Sequence, residues 1–247
     1  MENGRVKQKK DRRGIGKKLL CLLWPTVCVF CGAPNSNGIC ERCKETEERL
    51  RIRQPVCMKC GRSILSEEKE YCRECEGHIY SFEQGAAVWK HVPPVSTSIY
   101  RFKYKNQRAY AEIYGRELAK NYRELLRQWK IDYLVPIPIH HRRKKARGYN
   151  QSELLAKELE KYVGIPVLSV LERWKNTIPQ KRLTAAGRRK NLKEAFRITA
   201  GDIRGRNLLL VDDIYTTGST MEEASRILRK SGVGKVFFLT LSIGQYN

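Results

Sequence analysis

Apolar and polar positions along this chain follow two regimes that meet near residues 77–80. From residue 28 to 75 no long periodic run occurs, and glycines and cysteines punctuate a mostly polar stretch. From residue 81 onward, short runs rich in Val, Ile and Leu alternate with segments whose apolar residues recur at helical spacing. Residues 86–89 read as an edge strand, and residues 96–129 as one helix burying Ile113, Leu118, Leu125 and Leu126. Residues 133–139 form a strand, and residues 151–162 a helix with Leu154, Leu155 and Leu159 on its inner face. Further strands fall at 166–170, 207–211 and 235–243, with a helix over 220–230 ended by Gly232. This alternation predicts an α/β fold whose parallel strands are joined by right-handed crossovers, with ligands bound beyond the strands' carboxyl ends.

Charge changes the picture at the N-terminus. Residues 1–18 hold Arg5, Lys7, Lys9, Lys10, Arg12, Arg13, Lys17 and Lys18 against Glu2 and Asp11, with almost nothing apolar, and read as a disordered basic arm. The apolar run at 19–24 imitates a secretory signal. Pro25 cuts it, no small-residue cleavage site follows, and it is too short to span a bilayer. The expectation is a cytoplasmic protein whose basic arm can touch anionic lipid at the inner face of the membrane. Over the whole chain, 49 Lys and Arg oppose 26 Asp and Glu, a formal net charge of +23, which favours phosphate-bearing partners without saying which.

Eight of the nine cysteines form four C-x-x-C pairs: Cys28 with Cys31, Cys40 with Cys43, Cys57 with Cys60, and Cys72 with Cys75. Two residues between ligands let a tight turn aim both sulfurs at one ion, so four pairs predict two structural zinc sites of four thiolates each. Pairing between neighbours, Cys28, Cys31, Cys40 and Cys43 in one site and Cys57, Cys60, Cys72 and Cys75 in the other, is the simplest. Spacing leaves crossed pairing open, with iron–sulfur ligation as the chief rival and disulfides behind it. Cys21 reads as a small apolar residue, and His78 and His91 as surface groups without ligand-spaced partners.

Residues 208–220, LLLVDDIYTTGST, join an apolar strand to two acids and a hydroxyl-rich turn that opens a helix. Thr216, Thr217, Gly218, Ser219 and Thr220 can gather backbone N–H groups and hydroxyls around a phosphate monoester at the positive end of that helix. Asp212 and Asp213 can accept hydrogen bonds from two vicinal hydroxyls, as a ribose offers. Their mutual repulsion calls for hydroxyl donors and a hydrated Mg²⁺ carried by the ligand. No Walker-type phosphate loop occurs. A phosphorylated ribose carried with Mg²⁺ is the ligand expected.

Residues 212–220 resemble the signature of type I phosphoribosyltransferases, and nearly all of the chain beyond the basic arm resembles the ComF family. Two further segments carry the likeness. VPIPIHHRRKKARGYNQ (135–151) matches the diphosphate-side loop at Pro136, Pro138, His140, Arg143, Arg147, Gly148, Asn150 and Gln151. TIPQKRLTAAGRRKN (177–191) matches the mobile loop at Thr177, Gln180, Leu183, Arg188 and Asn191. The resemblance implies a phosphoribosyltransferase-like parallel-sheet domain (80–247) behind a double zinc-ribbon module (19–79). It implies pentosyl transfer from phosphoribosyl pyrophosphate, with Arg143, Lys144 and Arg147 facing the leaving diphosphate and Gln180 and Arg188 closing over it. Purine-salvage relatives place an aspartate where this chain has Thr216, which points to another acceptor, or to a sensor that binds without turnover. It further implies a role in natural competence, contact with single-stranded DNA, and a competence helicase or uptake machinery as protein partner. Tyr100, Tyr104 and Tyr110, set among Arg101, Lys103, Lys105 and Arg108, are candidate base-stacking groups or plain packing residues.

Overall fold

A computed structural model of the chain describes residues 26–175, 194–199 and 201–245. The basic arm, the apolar run with Cys21, and residues 177–191 with Gln180 and Arg188 lie outside the described residues.

The centre is a parallel sheet of β1 (Gly85–Lys90), β2 (Tyr133–Pro136), β5 (Asn207–Tyr215) and β6 (Lys235–Ile243), in the order β1-β6-β5-β2. Leu208, Leu209, Leu210 and Val211 are all buried, because helices cover both faces of the sheet. On one face α3 (Tyr110–Gln128) and α5 (Gln151–Val163) lay Leu118, Leu126, Leu155 and Leu159 against Leu209, Val211 and Leu239. Each such burial contributes about 1.5–3 kcal/mol. Gly115 lets the two helices meet, since a Cβ there would stand 2.5 Å from Glu158 Cβ. On the other face α6 (Ser219–Lys230) sets Met221, Ala224 and Leu228 over Leu208, Leu210 and Phe238.

Three expectations from the sequence are corrected here. The helix expected over 96–129 is two, α2 (Val95–Tyr104) and α3, broken where Asn106 takes a positive φ of 53°. Asparagine tolerates that region, and the polar run around it ends the helical hydrogen bonding. The strand expected at 166–170 shrinks to one parallel bridge, Leu134 to Val167, because the next residue of β2 to face it, Pro136, has no N–H to donate to Leu168 O. The chain then forms β3 (Leu171–Arg173), antiparallel to β4 (Phe196–Ile198), a small hood beside the sheet. Finally, β5 runs four residues beyond the apolar stretch and carries both aspartates within it, so α6 opens at Ser219. Of the inner positions expected on α3, Leu125 is only partly buried.

The cysteine module covers the exposed edge of β1. After its helix α1 (Glu41–Leu50), Arg51 bridges to Trp89, and Ile52 N–H donates to Val88 O at 2.9 Å. Arg51 pairs with Glu47 at 2.6 Å and Glu117 at 2.8 Å, while Trp89 Nε1 donates to Glu47 at 2.7 Å. Val29, Phe30 and Ile39 join the same apolar cluster as Trp89, Ile99 and Ile113. A module this small has no adequate core of its own, and it borrows one from the sheet domain. No helix among the described residues is long and apolar enough to cross a membrane.

Candidate ligand cavity and metal centres

The strand ends converge on one cavity of about 770 Å³. His91 just past β1, Ile137 to Ile139 past β2, and Asp212 to Thr216 at the end of β5 line it, with α2, α4 (His141–Arg147), α6 and the hood completing the walls. This is the place that parallel sheets reserve for ligands.

Asp212 and Asp213 stand at its floor. Asp212 accepts from Ser152 Oγ at 2.7 Å and from the Asp213 backbone N–H at 2.9 Å. Asp213, only 2% exposed, forms an ion pair with Lys103 Nζ at 2.8 Å. Burial, then the neighbouring Asp213 charge, pushes the Asp212 carboxyl up to about 7, against the pull of Lys103 and the hydrogen bonds from Ser152 and the Asp213 amide. The acids are thus anchored at their base and still reach the cavity.

The turn beyond them is shaped by Gly218, whose φ of 75° is left-handed and whose Cβ position lies 2.4 Å from Tyr215 Oη. No side chain but hydrogen fits there. Gly218, Ser219, Thr220 and Met221 line the cavity at the N-terminus of α6, where a helix presents N–H groups and positive potential. Thr217 Oγ1 stands 3.0 Å from Ser219 Oγ, tying the turn to itself instead of lining the void. The carbonyl of Thr216 accepts from Arg62 Nη2 at 3.1 Å.

The basic stretch expected as a loop is the short helix α4, capped by the His140 side chain on Arg142 N–H and closed by Gly148 in the left-handed region. Helical spacing sorts its charges. Arg143 and Arg147, four residues apart, face the cavity, whereas Lys144 points outward and pairs with Glu153 at 3.3 Å. Arg147 also donates to Gln151 and lies over the ring of Tyr104 at 4.9 Å. Asn150 caps α5 through Ser152 N–H and donates to Ile137 O, so the matched polar residues of this segment fix its path.

Four residues in or behind the cavity wall carry no sequence signal of their own. Arg173, from the hood, is 6% exposed and held down to about 10, first by burial and then by the like charge of Arg143, with Asp212 pulling the other way. Lys103 and Ser152 serve the aspartates. His91, read as a surface group, is half-buried at the rim with Nδ1 2.9 Å from Ser242 Oγ. Lys103, Arg143, Arg147 and Arg173 set four cations against two carboxylates in the cavity, and burial depresses the Arg143 guanidinium as well. A polyanion would relieve that crowding.

The cysteines fall into the two neighbour-paired groups. The sulfurs of Cys28, Cys31, Cys40 and Cys43 lie within 4.8 Å of one another, as do those of Cys57, Cys60, Cys72 and Cys75. One sulfur pair in each group, Cys31 with Cys40 and Cys60 with Cys72, stands at 3.7 Å. A zinc ion bonded to four sulfurs at about 2.3 Å requires tetrahedron edges of about 3.8 Å, so both groups fit the metal and leave no ligand position open. These are two zinc-ribbon sites, each closed by four thiolates.

Comparison with known proteins agrees with this architecture. The Double zinc ribbon domain family matches residues 19–76, and the Phosphoribosyl transferase domain family matches residues 104–242. The chain is 34% identical over 218 residues to Competence protein F of Haemophilus influenzae, covering 85% of this chain and 93% of that one. It is 29% identical over 216 residues to DNA utilization protein YhgH of Escherichia coli, covering 86% and 94%. It is 26% identical over 230 residues to Competence protein ComFC of Bacillus subtilis, covering 87% and 90%. With a four-thiolate ribbon pair packed on a phosphoribosyltransferase-type sheet and relatives that span nearly their whole length, the chain belongs to the ComF family.

Proposed function

We infer that the cavity binds phosphoribosyl pyrophosphate with Mg²⁺, and that the protein serves DNA utilization in natural competence, handling single-stranded DNA. The observation that carries the first part is the convergence, in one void at the strand ends, of two anchored aspartates, a glycine-shaped turn at a helix N-terminus, and an excess of cations. In this reading the turn of Thr216 to Thr220 takes the 5′-phosphate, and Asp212 and Asp213 accept from the ribose hydroxyls. Arg143, Arg147 and Arg173 face the diphosphate. Lys144 neutralises from outside. Gln180 and Arg188, outside the described residues, keep the closing role that the family resemblance gives them. Mg²⁺ rides on the ligand, because Lys103 already holds a positive charge 2.8 Å from Asp213.

Transfer would form a bond from the acceptor nucleophile to C1 of the ribose as the C1–O bond to diphosphate breaks; the nucleophile's proton leaves to solvent. The chain's own residues bind, orient and neutralise. A sensor that binds the same ligand without turnover uses the identical site. In this reading a basic arm (1–18), a ribbon module (19–79) and a phosphoribosyltransferase-like domain (80–247) work together in the cytoplasm.

The DNA reading rests on its own observation. Tyr100 and Tyr104 are about half exposed, with ring centroids 4.9 Å apart, on the flank of the cavity that also carries Arg147. Tyr110 is buried against Tyr114 and serves packing instead. Isothermal calorimetry with phosphoribosyl pyrophosphate and Mg²⁺ tests the cavity: binding should need Mg²⁺ and vanish in the Asp212→Asn, Asp213→Asn double variant. Diphosphate release across a nucleophile screen separates enzyme from sensor. Single-stranded DNA binding should weaken steeply with salt and survive that double variant. Loss of both activities together would show one site where two are inferred.

A further inference from the structure

Among the described residues, the second ribbon touches the phosphate turn and the first does not. Arg62, 4% exposed, lies two residues beyond Cys60; its Nη1 donates to Glu74 Oε2 at 3.1 Å and its Nη2 to Thr216 O at 3.1 Å. The backbone of Arg62 belongs to the metal knuckle itself, since Cys57 N–H donates to Arg62 O at 2.8 Å. Glu74 sits between the zinc ligands Cys72 and Cys75. The Arg62 backbone and its partner Glu74 are therefore both fixed by the knuckles that the second zinc holds in place, and the free end of the clamp grips Thr216.

A second strap runs from the chain just beyond that module to the helix behind the turn. Ser81 donates to Glu222, in the first turn of α6, through its backbone N–H at 2.7 Å and its hydroxyl at 2.8 Å. Tyr80, whose Oη donates to Glu74 O, stacks on Phe82, which meets Phe238 edge-on, and Phe238 stacks on Tyr215. The knuckle is pressed onto β1, because a Cβ on Gly61 would stand 2.4 Å from Gly85 O. The turn of Thr216 to Gly218 is thus bounded on one side by Arg62 of the second knuckle and on the other by the Ser81 strap and the stack of Phe238 on Tyr215.

We propose that Arg62 is a positioning residue through which zinc in the second site shapes the phosphate turn, so that zinc retention and phosphate-ester binding strengthen each other. The linkage rests on the phosphate reading of that turn, and reciprocity follows from thermodynamics: if zinc improves ligand affinity by some factor, ligand improves zinc affinity by the same factor. The first site is the built-in control, since its ligands include the exposed Cys31 and, among the described residues, it makes no contact of this kind.

The test uses the whole zinc-loaded protein and a colorimetric chelator, with ribose 5-phosphate as the probe. Zinc should leave in two phases, a fast one from the first site and a slow one from the second. Saturating ribose 5-phosphate should slow the second phase several-fold and leave the first unchanged. Arg62→Met should keep both zinc ions at rest, bind ribose 5-phosphate about tenfold more weakly, as loss of one charge-assisted hydrogen bond implies, and lose the ligand's effect on the slow phase. Arg62→Lys should restore part of it. Ribose 5-phosphate that binds measurably without slowing the second phase overturns the linkage while sparing the site. Ribose 5-phosphate that does not bind at all overturns the site reading, and the linkage with it.

Discussion

The two ribbons fold alike and hold different things. In each, the leading cysteine N–H donates to the carbonyl five residues on, Cys28 to Ala33 and Cys57 to Arg62, both at 2.8 Å. In each, the glycine after the second cysteine donates back to the first, Gly32 at 2.8 Å and Gly61 at 2.9 Å, and an antiparallel bridge closes the base, Val27 to Pro34 and Val56 to Ser63. At matching places in the knuckle the first ribbon has Ala33 and the second has Arg62. The first is held by α2 and α3, through Ser98 to Val29 O, Arg101 to Phe30 O and Arg116 to Asn37 O. The second is buried at all four cysteines and reaches the turn at Thr216. A repeated metal fold can therefore serve once as an edge cover and once as a brace for a site, and the difference lies in one side chain and in burial.

Removing ligands should break this comparison most strongly. Cys60→Ser, in the buried group, should cost zinc at that site and several kcal/mol of stability, since structural zinc is worth roughly 10–16 kcal/mol in small zinc modules. Cys31→Ser, at an exposed corner, should lower the melting temperature less and leave ribose 5-phosphate binding in place. Equal losses in metal content, melting and binding for both variants would erase the distinction. Next comes the anchor of the first ribbon: Arg51→Met leaves Glu47 and Glu117 buried without their shared guanidinium, at about 3–5 kcal/mol. Urea denaturation should show that loss, with proteolysis opening the ribbon before the sheet domain.

A smaller change targets the braced turn alone. Gly218→Ala places a left-handed alanine beside Tyr215 Oη, costing about 1–2 kcal/mol from the backbone alone. It should weaken ribose 5-phosphate by at least about tenfold while both zinc ions stay bound, and unchanged affinity would count against the turn as the phosphate site.

The acids give a pH signature. The Asp212 carboxyl rises to about 7 in the fold from an ordinary value of 3.8, so the folded state holds its proton more tightly. Its ionisation thus opposes folding, and stability falls as pH climbs from about 4 to 7, by at most about 1.4 kcal/mol per pH unit. Below that window the contribution is fully present, and above it the loss is complete. Chemical denaturation of the free protein across this range should show the slope, and Asp212→Asn should flatten it. The smallest effect belongs to Lys144→Ala, whose exposed pair with Glu153 should matter by less than about 1 kcal/mol in the same assay.

Some of this was written plainly in the chain and some was not. The fully apolar run at 208–211 and the C-x-x-C spacing were legible because each has a local cause: burial on both faces, and the geometry of a tight turn around one ion. The helix break at Asn106 was missed because periodicity continues across a short interruption, and the strand at 166–170 because the donor it lacks belongs to Pro136 on the neighbouring strand. In the site, Asp212, Asp213 and the turn to Thr220 were readable as a contiguous motif. Lys103, Ser152 and Arg173 were not, since each comes from a distant element and looks like an ordinary surface residue until packing turns it inward.

The sequence alone determined the ingredients: four thiolate pairs, an α/β alternation, an acid pair with a hydroxyl turn, and a large positive charge. All of these are properties of neighbours along the chain. Only the tertiary structure decided which cysteines share an ion, which cations of α4 enter the cavity, and that Arg62 of a metal knuckle meets Thr216 across 154 residues. Those outcomes depend on how separate elements pack, and contacts between residues far apart leave no spacing for a single sequence to display.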